Sequence, residues 1–150
     1  MNADTFVDQL RIMAALENSA ATDRVLEAFR NVPREAFAGT GPWKLRSPHE
    51  GFSLPVQQTP DANPKWLYNS VLIVLDEEKR INIGDPVFWA RRFVRANVKA
   101  GARVLQVGAG VGYYTAILSE LAGSKGSVVA YEVEQDLAER AQANGYHACS

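Results

Sequence analysis

The chain of 150 residues contains one cysteine, Cys149, two histidines, His49 and His147, and a formal net charge of only −1. A single thiol excludes an internal disulfide and a cysteine-built zinc site, which fits a reducing compartment. The near-zero charge removes the electrostatic case for nucleic acid or an anionic membrane as partner. Neither histidine stands in a His–Asp, paired-carboxylate or metal-ligating pattern, and both read as surface residues. No apolar run approaches the ~20 residues of a membrane span. The amino terminus, with Asp4 and Asp8, lacks a basic-then-apolar signal pattern, so a cytoplasmic protein is expected. Hydrophobic content of 47% and charged content of 22% are ordinary for a folded globular domain, and no internal repeat is visible.

What is present is concentrated between residues 103 and 134. Val104, Leu105 and Val107 form a short apolar run, followed at once by Gly108, Gly110 and Gly112. From Tyr113 to Leu121 the apolar positions recur at helical spacing, and Val128, Val129, Ala130 and Tyr131 form a second run ending at Glu132. The order strand, glycine turn, helix, strand predicts a βαβ unit. Glycine tolerates positive φ and lets a ligand approach bare backbone, and the helix beyond opens with unpaired N–H groups. An acid at the end of the second strand, here twenty-four residues beyond Gly108, typically accepts hydrogen bonds from ribose hydroxyls. Together these predict a nucleoside-bearing small molecule across the strand ends. The dinucleotide pattern G-x-G-x-x-G fails because its third glycine falls on Tyr113, and no P-loop pattern exists; the spacing is G-x-G-x-G.

Elsewhere the pattern predicts amphipathic helices over residues 5–17 and 22–32, the second ended by Pro33. Five of the seven prolines lie between Pro42 and Pro64, which predicts a loop region over 39–68 without long helices or central strands, a candidate lid or rim. Val71 to Leu75, a charged turn and Ile81-Asn82-Ile83 predict a hairpin within 69–84. Asp85-Pro86 marks a helix start; its Val87, Ala90, Phe93, Val94 and Val98 would face inward, with Arg91, Arg92 and Arg95 in solvent. A last helix runs through Ala143 to Asn144-Gly145. The organisation is therefore helices over 1–38, a proline-rich loop over 39–68, and a hairpin plus βαβ half-domain over 69–150.

The glycine loop and acid resemble those of S-adenosylmethionine-dependent methyltransferases. With Val25-Leu-Glu-Ala-Phe29 and Val32-Pro-Arg-Glu-Ala-Phe37 added, the chain resembles the protein-L-isoaspartate O-methyltransferases over roughly residues 22–37 and 81–145. The resemblance implies the amino-terminal part of an α/β, Rossmann-like methyltransferase fold and S-adenosyl-L-methionine as cofactor. It implies cofactor contacts at Gln106, Gly108, Ala109, Gly110, Gly112, Glu132 and Val133. It also implies methyl transfer to a carboxylate or similar acceptor on a protein or small molecule. A carboxylate nucleophile is already ionised, so the enzyme needs no dedicated base. The family's substrate-side Gln-Thr-Ile-Ser run falls on Ile81-Asn82-Ile83-Gly84; Gly84 brings no hydroxyl, leaving Asn82 as the candidate substrate-side residue, and Gln106 replaces an acid.

A doubly wound methyltransferase sheet has about seven strands, and the sequence suggests only the first two. Two parallel strands would leave a bare edge and exposed apolar surface. The expectation is that the chain is a piece of a longer protein or completes its sheet in a homodimer through that edge. A non-catalytic, cofactor-binding or oligomerising relative is the alternative function.

Overall fold

A computed structural model describes residues 3–49, 55–145 and 148–149. Two amino-terminal helices come first. In α1 (Ala3–Met13) the stripe of Phe6, Val7 and Leu10 is buried. Helix α2 (Ala20–Asn31) begins where Ser19 Oγ accepts the Thr22 N–H at 3.1 Å, satisfying one of the orphan donors of the first turn. It ends at Asn31 because Val32, preceding Pro33, is forced into extended backbone. A single turn, α3 (Glu35–Ala38), buries Phe37.

The proline-rich region is more structured than its composition predicts. It contributes β1 (Lys44–Arg46) and β2 (Gln57–Gln58), which join β3 (Leu72–Asp76) and β4 (Ile81–Ile83) in an antiparallel sheet of order β2-β1-β3-β4. β1 is thus a central strand, contrary to expectation, and it escapes the proline rule because residues 44–46 lie between Pro42 and Pro48. Trp43 is buried and anchors this region, its indole N–H donating to the Gly39 carbonyl at 2.9 Å. The hairpin of β3 and β4 is as predicted, with Ile73 opposite Ile83. His49 is exposed, whereas the expectation for His147 lies outside the described residues.

Helix α4 (Pro86–Ala96) starts as predicted, with the Asp85 carboxylate accepting from the Val87 and Phe88 amides. It stops earlier than its apolar pattern suggests, because Asn97 turns left-handed at φ 49°. The βαβ unit follows: β5 (Arg103–Val107), α5 (Tyr113–Ala122) and β6 (Ser127–Tyr131), with Leu105 beside Val129 in parallel register. After α6 (Gln135–Ala143), β7 (Ala148–Cys149) adds a third parallel strand beside β6, where the sequence suggested only two. Two residues are too few for an apolar run to announce them.

Phe29 of α2 packs against Phe93 of α4 and against Tyr113 and Tyr114 of α5, and this aromatic cluster centres the core. Arg24 donates to the Val98 and Leu121 carbonyls, binding α2 to the βαβ unit. α5 covers one face of the parallel sheet. On the other face Leu105 and Val107 are 66% and 80% exposed, joined by Val129 and Tyr131. Among the described residues β5 pairs only with β6, so its outer edge is open. No helix among the described residues is long and apolar enough to cross a membrane.

Candidate functional site

The chain between β5 and α5 is a bend held from three sides. The Gly108 and Ala109 amides both donate to the Tyr131 carbonyl, at 2.8 and 3.0 Å. The Gly110 amide donates to Glu132 Oε2 at 2.6 Å, and Asn144 Nδ2 donates to the Val111 carbonyl at 3.1 Å. Gly108 and Gly110 have φ of 81° and 56°, a region costly for residues with a Cβ. A Cβ built on either would meet nothing within 4 Å, so the bend presents bare backbone to open space. Gly112, at φ 90°, leads into α5, whose first turn receives no side-chain cap. That leaves backbone N–H groups and the positive end of the helix dipole beside the bend.

Glu132 stands where the sequence places it. Its second oxygen, Oε1, accepts the Glu134 amide at 3.0 Å, and the residue is 8% exposed. Both carboxylate oxygens therefore lie at the bend, each with a further lone pair to offer. Ala109 is buried beneath the loop, while Val133, at 92% exposure, can contribute only from the rim. Gln106 is turned away from that rim. Its side chain is buried and its Oε1 accepts the Thr115 hydroxyl at 2.7 Å.

Next to the bend lies a cleft of about 180 Å³, whose opposite wall is Asn82, Ile83 and Gly84 at the end of β4. The structure thus brings the substrate-side candidate Asn82 and the glycine loop into one depression. Asn82 is half-buried and donates to the Arg80 carbonyl at 3.3 Å. A drug-sized ligand fills roughly 300–1,000 Å³, so this cleft holds one part of a nucleoside ligand. Two larger depressions, of about 650 and 720 Å³, lie beside β1 and β2 and between the α1–α2 link and α4; neither touches the glycine loop.

Two residues at the cleft, and the partners of a third behind it, escape sequence reading. Trp89 stacks on Tyr114 with ring centres 4.8 Å apart and planes at 29°. Tyr114 donates its hydroxyl to the Gly84 carbonyl at 2.6 Å. Behind it, the fully buried Arg34 donates to the carbonyls of Leu67, Asn69, Val71 and Gly84 at 2.6–3.4 Å, with no carboxylate partner among the described residues. The Val-Pro-Arg-Glu motif marked Arg34, but its acceptors lie more than thirty residues away. Burial holds the phenols of Tyr113 and Tyr114 well above the usual tyrosine range, so both stay neutral donors.

Comparison with known proteins identifies the family of this chain. Residues 7–147 match the family model described as protein-L-isoaspartate(D-aspartate) O-methyltransferase (PCMT). A protein-L-isoaspartate O-methyltransferase of Thermotoga maritima is 27% identical over 131 residues, 86% of this chain and 35% of its own. One from Methanothrix thermoacetophila is 29% identical over 135 residues, 89% of this chain and 52% of its own. The chain therefore spans about half or less of the length of these relatives. Its fold superimposes with a TM-score of 0.65 on a Plasmodium falciparum chain assigned to the same enzymes, in complex with S-adenosyl-L-homocysteine. That match has 19% identity and covers 96% of this chain and 55% of the other. A mixed α/β fold of this type and a match over nearly the whole chain have one reading: the chain belongs to the protein-L-isoaspartate(D-aspartate) O-methyltransferase family.

Proposed function

We propose that this chain binds S-adenosyl-L-methionine, or its demethylated product, at the bend after β5, as the opening part of a doubly wound methyltransferase sheet. The observation that carries this reading is the Gly110–Glu132 contact beside open space: bare backbone and a carboxylate converge where an adenosyl group needs both. The residues fit the cofactor. Glu132 would take the ribose hydroxyls, and the bare backbone from Gly108 to Gly110, its amides already bonded to Tyr131 and Glu132, would lie along the amino-acid portion. Gln106 contributes from beneath by holding Thr115 and the start of α5, not by facing the ammonium group. Ala109 and Gly112 shape the bend, and Val133 borders the adenine side.

When bound, the cofactor supplies a methyl group on a positively charged sulfur, open to in-line attack by a nucleophile. The protein's part is positioning, and the β4 end with Asn82 is where an acceptor would approach. Calorimetric titration with S-adenosyl-L-homocysteine tests the binding reading, with a micromolar dissociation constant expected; absence of heat at any temperature would remove it.

A second reading, cofactor binding without transfer to an isoaspartyl carboxylate, is favoured by Gly84. That position offers no hydroxyl to a carboxylate, and Trp89 covers it. Radiolabelled methyl transfer to an isoaspartyl peptide separates the two. We propose also that the open edge of β5 and the apolar residues Leu105 and Val107 beside it support a homodimer. Sedimentation across a concentration series tests this, and a monomer throughout would rule it out.

A further inference from the structure

We propose that the Trp89 side of the small cleft is a subsite for a neutral, planar, apolar group, and that Trp89 sets this preference. That this subsite serves the methyl acceptor rests on the cofactor reading given above. The side chains along it are Leu75, Ile83, Trp89 and Val111, with Asn82 at the mouth. Among the described residues no lysine, arginine, histidine, serine or threonine lines the cleft.

The hydroxyls nearby are already committed or sealed. Tyr114 spends its proton on the Gly84 carbonyl, and the Tyr113 hydroxyl is buried without a partner, out of solvent reach. Arg34, the nearest cation, is fully buried behind Gly84 with its guanidinium turned to four carbonyls. A carboxylate entering here would shed water and meet no cation or uncommitted hydroxyl among the described residues, only the uncharged N–H groups of Trp89 and Asn82. Nor can position 84 supply one, because a Cβ there would lie 2.7 Å from Trp89 Nε1 and 3.2 Å from Cδ1. The indole cannot easily yield, being stacked on Tyr114 and packed edge-on by Phe88. The same stacking fixes the indole in the cleft wall, where with Tyr114 it forms an aromatic lining suited to an aromatic or amide plane.

The test uses two isosteric probes, benzamide and benzoate, on the ¹⁵N-labelled chain saturated with S-adenosyl-L-homocysteine at pH 7. The Trp89 indole N–H resonance is identified by its disappearance in Trp89→Phe. Benzamide is expected to shift it saturably, with benzoate at least about tenfold weaker, the penalty of an unpaired charge. In the double variant Gly84→Ser with Trp89→Ala, followed through the Gly110 amide, the ratio should fall toward one. Should that variant not fold, Trp89→Phe, which keeps a flat wall, must retain the benzamide preference. Benzoate binding as tightly as benzamide to the unaltered chain would mean that the first-turn amides of α5 serve an anion, and would overturn the proposal. So would a Trp89 resonance that benzamide leaves unmoved. If the homocysteine derivative fails to shift Gly108 and Gly110, the cofactor reading falls instead; the benzamide and benzoate titrations, repeated without it, still decide the subsite.

Discussion

The Glu132 carboxylate accepts the amide proton of Gly110 at 2.6 Å, closing a clasp between the end of β6 and the bend after β5. Glu132→Ala removes that acceptor together with the one serving Glu134. Hydrogen bonds to a charged group contribute about 1.5–3 kcal/mol, so a loss of roughly 2 kcal/mol in urea denaturation is expected. Adenosyl affinity should fall by more than about tenfold in the same variant. Unchanged stability would mean that the clasp is decorative.

Gly110→Val separates fold from site. The residue sits at φ 56° facing open space, so the substitution meets backbone strain but no neighbour. Strain of about 1–2 kcal/mol should leave a folded chain by circular dichroism. The new side chain would fill the ligand's approach, and calorimetry should show no cofactor binding.

Arg34 is a buried cation whose hydrogen-bond partners among the described residues are carbonyls, with the Tyr113 ring 5.5 Å from its guanidinium carbon. Arg34→Met would strip a donor from the Leu67, Asn69, Val71 and Gly84 carbonyls, of which Asn69 keeps the Val71 amide and Gly84 the Tyr114 hydroxyl, and about 3 kcal/mol of destabilisation is expected. Arg34→Lys should recover only part of it, because a single ammonium cannot span a fork of four acceptors. Thermal unfolding of the three chains side by side checks the order.

Alkaline titration carries a definite sign. Burial raises the phenols of Tyr68, Tyr113 and Tyr114 in the folded chain, with the Glu35 contact adding to the effect at Tyr68. Above the ordinary value of 10.0 the unfolded chain releases these protons while the folded chain retains them. Stability should therefore be intact below pH 10 and fall as pH rises beyond it. Tyrosinate absorbance from these three should rise in step with loss of structure; a rise that precedes unfolding would contradict their burial.

The parts legible in the sequence are those governed by neighbours along the chain. The Asp85-Pro86 cap and the β3–β4 turn satisfy their backbone groups within a few residues, and the run from Val104 to Glu132 pairs its two strands at one constant separation, so spacing alone reveals them. The glycine loop and Glu132 were legible as a pair because a βαβ unit of fixed length returns the second strand beside the first. Illegible were contacts paid for across the fold. Leu45 pairs with Ile73 from inside a proline-rich stretch, where only three residues are free to do so. Trp89 resembles any aromatic on a buried helix until Gly84, on another element, is placed against it. The resemblance implies a cofactor contact at Gln106, but period-two alternation along β5 turns its side chain toward α5, where it accepts the Thr115 hydroxyl.

The hydrogen bond from Arg24 to the Leu121 carbonyl spans 97 positions, and that separation bears on how the molecule is made. Helix α2 leaves the ribosome long before α4 and α5, the surfaces that bury Phe29, have been translated. At roughly 5–20 residues per second the early helices wait several seconds with their greasy stripe uncovered. The order of translation thus leaves the apolar face of α2 uncovered until residues near Leu121 have emerged.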